Sequence, residues 1–169
     1  KIDNVGMCGA SSSYKAWRFS LPLFQLNAIS LFKYPFRVMK RIKNHLMLLG
    51  NYPDHFYPHI RSNGFVVCRE NFLDFIMQLS VPKTKIDCYK LESGISSYSY
   101  FLIKNKQRLV IVDKKGKIFD VKDWVSSNTY CCPNQPGLCI ADNNTDLYDM
   151  KNLKEKKDME FDVWGEVLS

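Results

Sequence analysis

Apolar positions change their period along this chain, and the change predicts its elements. Between Pro35 and Leu49, Met39, Ile42, Leu46 and Leu49 recur at helical spacing. Pro35 suits a first helical position and Gly50 a stop, so the stretch predicts a helix. Asn71 to Leu79 predicts a second helix, with Phe72, Phe75, Ile76 and Leu79 on one face and Pro82 beyond its end. Gly64 to Cys68 predicts a short buried strand between them.

From Lys85 the period becomes two. Ile86 to Lys90, Tyr98 to Ile103, Arg108 to Asp113 and Lys117 to Val121 predict strands, and Lys114-Lys115-Gly116 a tight hairpin turn. The apolar runs Leu138–Ala141 and Phe161–Val167 predict two more strands, on either side of an Asn/Asp-rich turn and a charge run. Residues 1–13 are small and polar and end in Gly9-Ala10-Ser11-Ser12-Ser13, which reads as a flexible arm. Trp17 to Leu26, broken by Pro22, predicts an edge strand or loop, and Asn51 to His59 predicts a loop. The expected architecture is a single α+β domain. A flexible arm (1–16) and a helical and loop region (17–84) lead into a mostly antiparallel β-sheet region (85–169).

A length of 169 residues, 46% hydrophobic and 24% charged, fits one self-sufficient core. Aromatics reach 14%, which predicts a well-filled, strand-rich interior or a surface for stacking bases. No run approaches the roughly 20 apolar residues of a membrane-spanning helix, and no signal peptide is visible. This predicts a cytoplasmic protein without membrane contact. The first residue is Lys1 rather than Met, which leaves room for a preceding segment.

The formal charge is +7. The basic excess is local: Lys33, Arg37, Lys40, Arg41 and Lys43 fall together with no acid among them, whereas acids crowd the C-terminal end. The six cysteines (Cys8, Cys68, Cys88, Cys131, Cys132 and Cys139) show no pair of Cys-x-x-Cys motifs. They read as small buried hydrophobes under reducing conditions. A zinc site at Cys131, Cys132 and Cys139 would need a further ligand. Asn143-Asn144-Thr145 is a glycosylation sequon, meaningful only in a secretory setting.

One set of motifs carries a chemical suggestion. Ser93-Gly94-Ile95-Ser96 places a serine after a glycine turn, before an apolar stretch. Val110-Ile111-Val112-Asp113 follows, then Val121-Lys122, then Ala141-Asp142-Asn143-Asn144 with Tyr148, and Val163-Trp164-Gly165-Glu166-Val167 near the end. Together these resemble the LexA/UmuD-like self-cleaving peptidases of the bacterial DNA-damage response, over roughly residues 91–169. Cys8-Gly9 resembles the bond that such proteins cut in themselves.

The resemblance implies a Ser/Lys dyad, with Ser96 as nucleophile and Lys122 as a base made neutral by burial. It implies cleavage at Cys8-Gly9 and a regulatory role, with catalysis either retained or degenerate. The chain departs from the pattern in having Ser97 where the family has Met, Gln107-Arg108 where it has Gly-Asp, and too short a link from Asp113 to Lys122.

Three other classes stay open. The cationic face of the Pro35–Leu49 helix, with Tyr34, Tyr52 and Tyr57 nearby, suits phosphates and stacked bases. His45, His55, His59 and Cys68 are metal-ligand types, but Pro53 and Pro58 argue against a regular helix there, and no metal or other cofactor is expected. The main alternative is a non-enzymatic protein- or nucleic-acid-binding module, such as an inhibitor, immunity factor or assembly subunit. A protein partner is expected, nucleic acid is an option, and a homodimer is compatible.

Overall fold

The computed structural model describes residues 4–14, 39 and 57–165. A four-stranded mixed sheet organises them: β1 (Val5–Gly9), β4 (Phe65–Val67), β5 (Arg108–Val112) and β6 (Ile118–Asp120), in the order β4-β1-β5-β6. β1 pairs parallel with β5 and antiparallel with β4, and β5 with β6 form the antiparallel hairpin. A small ladder joins β2 (Ser12–Ser13) to β3 (His59–Ile60). The helices are α1 (Arg69–Met77), α2 (Lys85–Ser93), α3 (Tyr98–Lys104), α4 (Asn143–Met150) and α5 (Leu153–Trp164).

This overturns the expected order. The sheet is drawn from the first 120 residues and the C-terminal end is helical, where helices first and strands last were expected. The stretch read as a flexible arm supplies the central strand, because Val5 and Met7–Gly9 find partners on β5 and Met7–Gly9 also on β4. Ile86–Lys90 and Tyr98–Ile103 are helical rather than extended. A capping box starts α2, in which the Thr84 hydroxyl accepts from the Asp87 N–H at 3.2 Å and Asp87 accepts from the Thr84 N–H at 2.9 Å. Ser97 caps α3 by accepting from the Tyr100 N–H. Leu138–Ala141 holds no strand, and Phe161–Trp164 is the last turn of α5, a helix capped by Asn152 and Glu155.

Other expectations hold. The Arg108–Asp113 and Lys117–Val121 runs contain β5 and β6, and Asn71–Leu79 overlaps α1. Gly64–Cys68 contains β4, but as an exposed edge strand rather than the buried one expected, with Phe65 and Val66 in solvent. The hairpin turn has Gly116 at φ +81°, and the Asp113 carboxylate accepts from the Lys115 and Lys117 N–H groups at 2.9 Å each. The predicted Pro35–Leu49 helix lies outside the described residues apart from Met39, which is helical and exposed.

The core lies on one face of the sheet. Met7, Leu109, Ile111 and Phe119 point there and meet Tyr98 and Leu102 of α3, Tyr148 of α4 and Trp164 of α5. Tyr14 joins the two ends of the fold. Its ring stacks on Trp124 at 5.7 Å and meets Trp164 edge-on at 5.3 Å. Aromatic pairs of this geometry add about 0.5–1.5 kcal/mol each beyond their burial. The high aromatic content is therefore interior at these positions.

Gly9 is set by close approach. A Cβ there would lie 2.2 Å from the Ile60 Cγ2, on the neighbouring ladder. Ile60 is β-branched and buried, so it cannot swing aside. Gly9→Ala is expected to destabilise the protein by about 1–3 kcal/mol, read as a lower urea midpoint with an unchanged slope.

Candidate functional site

The segment that leaves β1 is unusually polar for its burial. Ser11, Ser12 and Ser13 are all buried. The Ser11 hydroxyl donates to the Asn63 side-chain oxygen at 2.9 Å, and the Ser13 hydroxyl donates to the Val163 carbonyl at 2.9 Å. The Arg61 N–H donates to the Ser11 carbonyl, and the Arg61 guanidinium pairs with Asp142 at 2.9 Å while lying 3.7 Å from the Tyr130 ring centroid. These bonds tie β1, the β3–β4 connection and the start of α4 together, and they satisfy groups that would otherwise be buried at a cost.

Ser13 and His59 face each other across the small ladder. The arrangement is interior: both are buried, and the His59 Nδ1–H donates to the Tyr57 carbonyl at 3.3 Å. Burial brings the His59 pKa down to about 4, with Arg61 adding to the fall against the opposing Tyr57 bond. The ring is therefore neutral at pH 7 and serves as a structural donor.

The sign of its pH effect follows. An unfolded histidine binds its proton near pH 6.5, well above the folded value, so stability is full above 6.5 and is lost as the pH falls toward 4. Urea unfolding between pH 7 and 4 is expected to show a loss of up to about 3 kcal/mol from this residue. His59→Gln is expected to flatten that part of the profile.

The sequence-predicted dyad is not assembled by burial. Ser96 is exposed in the turn between α2 and α3, and Lys122 is exposed on the 3-10 turn Val121–Asp123 after β6. Lys122 lines a cavity of about 670 Å³ with Tyr14, Arg108 and Asp120, and Ser96 is not among the described residues around it.

The Cys8-Gly9 bond lies in the central strand, with Cys8 opposite Val66 on one side and Val110 on the other. Reaching a nucleophile would require pulling that strand out of the sheet. Intact-mass measurement at pH 7 and pH 10 is expected to show full-length protein for both the wild type and Ser96→Ala. A break after Cys8 that disappears in Ser96→Ala would reinstate the peptidase chemistry.

Lys33, Arg37, Lys40, Arg41 and Lys43 lie outside the described residues, as do His45 and His55. Of the other metal-ligand types, His59 is engaged as above, and the exposed Cys68 thiol donates to the Glu70 carboxylate. No group of three or more His, Cys, Asp or Glu gathers as metal ligands among the described residues.

The cysteines are less uniformly buried than expected. Cys131 is buried, whereas Cys68, Cys88 and Cys139 are exposed. Burial pushes the Cys131 thiol up to about 12 and that of Cys132 up to about 11, so both are protonated and weak ligands at neutral pH. Thr145 of the sequon is buried and closes the capping box of α4 with Asp142.

The most distinctive exposed feature is on α1. Phe72, Phe75 and Leu79 pack against the core, yet the flank beside them is apolar as well, with Glu70 and Asp74 beyond it. Leu73, Ile76 and Met77 recur at i, i+3 and i+4 and are exposed, Met77 by 83%, and Val81 just beyond the helix is 81% exposed. Sequence reasoning took Ile76 as part of the core face. The signal available was the number of apolar positions: six of them in Phe72–Leu79 exceed what one buried stripe uses.

Among the described residues no helix is long and apolar enough to cross a membrane. No family model, curated protein or solved structure matches the chain.

Proposed function

We propose that this protein is a non-catalytic protein-binding module whose docking face is the outer stripe of α1. The observation that carries the reading is the second apolar stripe. An apolar stripe wider than the face a helix buries is characteristically covered by protein, and here the added flank meets solvent.

Leu73, Ile76 and Met77 form a ridge of the kind that fits the groove of another helix, so an amphipathic helix of a protein partner is the expected occupant. Fully burying one such side chain stabilises by about 1.5–3 kcal/mol, enough for a few residues to dominate an interface. The peptidase reading has the motif resemblance in its favour, but the exposed positions of Ser96 and Lys122 give it no support. Nucleic-acid binding rests on cations outside the described residues.

Met77→Asp and Val81→Asp test the reading because both side chains are mostly in water. Each is expected to leave unfolding stability within about 0.5 kcal/mol of wild type. In pull-downs from the native source, each is expected to reduce recovery of the proteins that the wild type captures at least about tenfold, as loss of 1.4 kcal/mol would. Ser96→Ala is expected to recover them fully. Equal recovery by the aspartate variants and the wild type would reject this face as the docking site.

A further inference from the structure

Next to the apolar flank of α1 the sheet has a free edge. β4 ends the order β4-β1-β5-β6, so Phe65–Val67 pairs with β1 on one side and, among the described residues, with no strand on the other. The Ala10 N–H donates to the Gly64 carbonyl at 2.9 Å, in the register that sets Cys8 opposite Val66. Bonded pairs alternate along an antiparallel ladder, so Val66 bonds to β1 while the N–H and C=O groups of Phe65 and Val67 point outward.

Sheets guard such edges with charge, proline or a bulge. The opposite edge is guarded: the exposed Lys117 precedes β6, and Asp120 within it pairs with Arg108. Phe65-Val66-Val67 has no charge and no proline, its register with β1 is regular, and Val66 is 74% exposed.

The flank of α1 points past this same edge. α1 follows β4 after one residue, Cys68. The Asn71 side chain donates to the Gln107 side-chain oxygen at 3.3 Å, at the foot of β5 and so across the sheet from β4. At about 100° per residue, Leu73, Ile76 and Met77 centre on the side of the helix opposite Asn71. They therefore project away from β5, beyond β4.

An occupant of this surface must bring an extended strand for the edge and an apolar helix flank beside it. A second copy of the chain brings both, already joined in the required arrangement. We propose that the partner of the α1 flank is a second copy of this chain, joined by antiparallel pairing of the two β4 edges about a two-fold axis at Val66. The proposal rests on the docking face assigned above and names its occupant.

The pairing is self-complementary, as a two-fold interface requires. Phe65 of each copy lies opposite Val67 of the other and exchanges both backbone hydrogen bonds with it, and Val66 faces its own copy as the non-bonded pair. The two sheets become one, and the two α1 flanks meet on the same face. One short strand and one helix flank make a small contact, so monomer and dimer exchange with concentration.

Sedimentation velocity of the full chain from about 1 μM to about 200 μM spans the range in which small interfaces titrate. The wild type is expected to pass from monomer to dimer. Val66→Lys and Val66→Glu each set like charges side by side across the axis, and each is expected to weaken dimerisation about tenfold or more. Val66 is mostly in water, so the urea midpoint of each variant is expected to match the wild type. An equal mixture of the two variants sets lysine beside glutamate and is expected to regain dimer. Met77→Asp is expected to weaken dimerisation about tenfold as well.

A wild type that stays monomeric throughout would overturn the proposal. So would undiminished dimerisation in Val66→Lys or Met77→Asp, or a mixture no more associated than either variant alone. The docking face is judged separately by the pull-down with Met77→Asp, so a monomeric wild type whose captured proteins are lost in that variant rejects the second copy and keeps the face.

Discussion

The pairing of β1 with β5 is the constraint on which the described structure depends. It places a segment from the very start of the chain between strands that lie 56 or more residues further on. A parallel pair cannot be closed by a tight turn, so a long excursion must connect its members. The helices α1, α2 and α3 lie within that excursion. It ends when Arg108 donates its N–H to the Asn4 carbonyl at 2.8 Å, just before β5 runs beside β1. The residue types of the centre follow from this placement. Gly9 lets β3 cross close by, and Gly6 leaves room for Leu102, whose Cδ2 would lie 2.8 Å from a Cβ there.

Residues 10–14 then carry the constraint outward. They run through the interior rather than along an edge, so their polar groups need partners; most come from distant parts of the chain, while the buried Ser12 hydroxyl has none. Ala10 donates its N–H to the Gly64 carbonyl, Tyr14 donates its N–H to the Val163 carbonyl, and the Tyr14 hydroxyl donates to the Val121 carbonyl. Trp164 donates its ring N–H to the Cys131 carbonyl at 3.2 Å. Sheet, 3-10 turns and C-terminal helices therefore share one aromatic and hydrogen-bonded centre around Tyr14. A run of small serines suits such a place, because each brings a hydroxyl in little volume.

Local elements with their own chemical signature were legible in the sequence. The β5–β6 hairpin shows apolar alternation around Lys114-Lys115-Gly116, and α1 shows Phe72, Phe75 and Leu79 at helical spacing. The misread elements are those in which tertiary context outweighs composition. α3 is rich in Tyr, Phe and Ile, types that favour strands, but Tyr98, Phe101 and Leu102 also fall on one helical face. Thr84 to Asp87 and Asn152 to Glu155 are capping spacings that mark helix starts, the first beside a run assigned to a strand and the second in a stretch read as a charge run. The role of β1 could not be read locally at all. Its partners are set by pairing over long sequence separation, and Gly-Met-Cys-Gly has little apolar pattern of its own. The same distance explains the candidate dyad, since a motif match fixes residue types in order but not the burial that would activate a lysine.

The recognition role proposed for this protein rests on α1. Its inner side closes an aromatic layer over Tyr98 and Phe101, which satisfies the needs of the core. Its outer side adds Leu73, Ile76 and Met77, which contribute nothing to that layer. Exposed apolar side chains scattered singly are normal on any protein, but a stripe at i, i+3 and i+4 follows the geometry of helix packing. One short helix thus separates two apolar environments. The inner one belongs to the core, and the exposed one makes no hydrogen-bonding demand of its own, as a docking surface held by area requires.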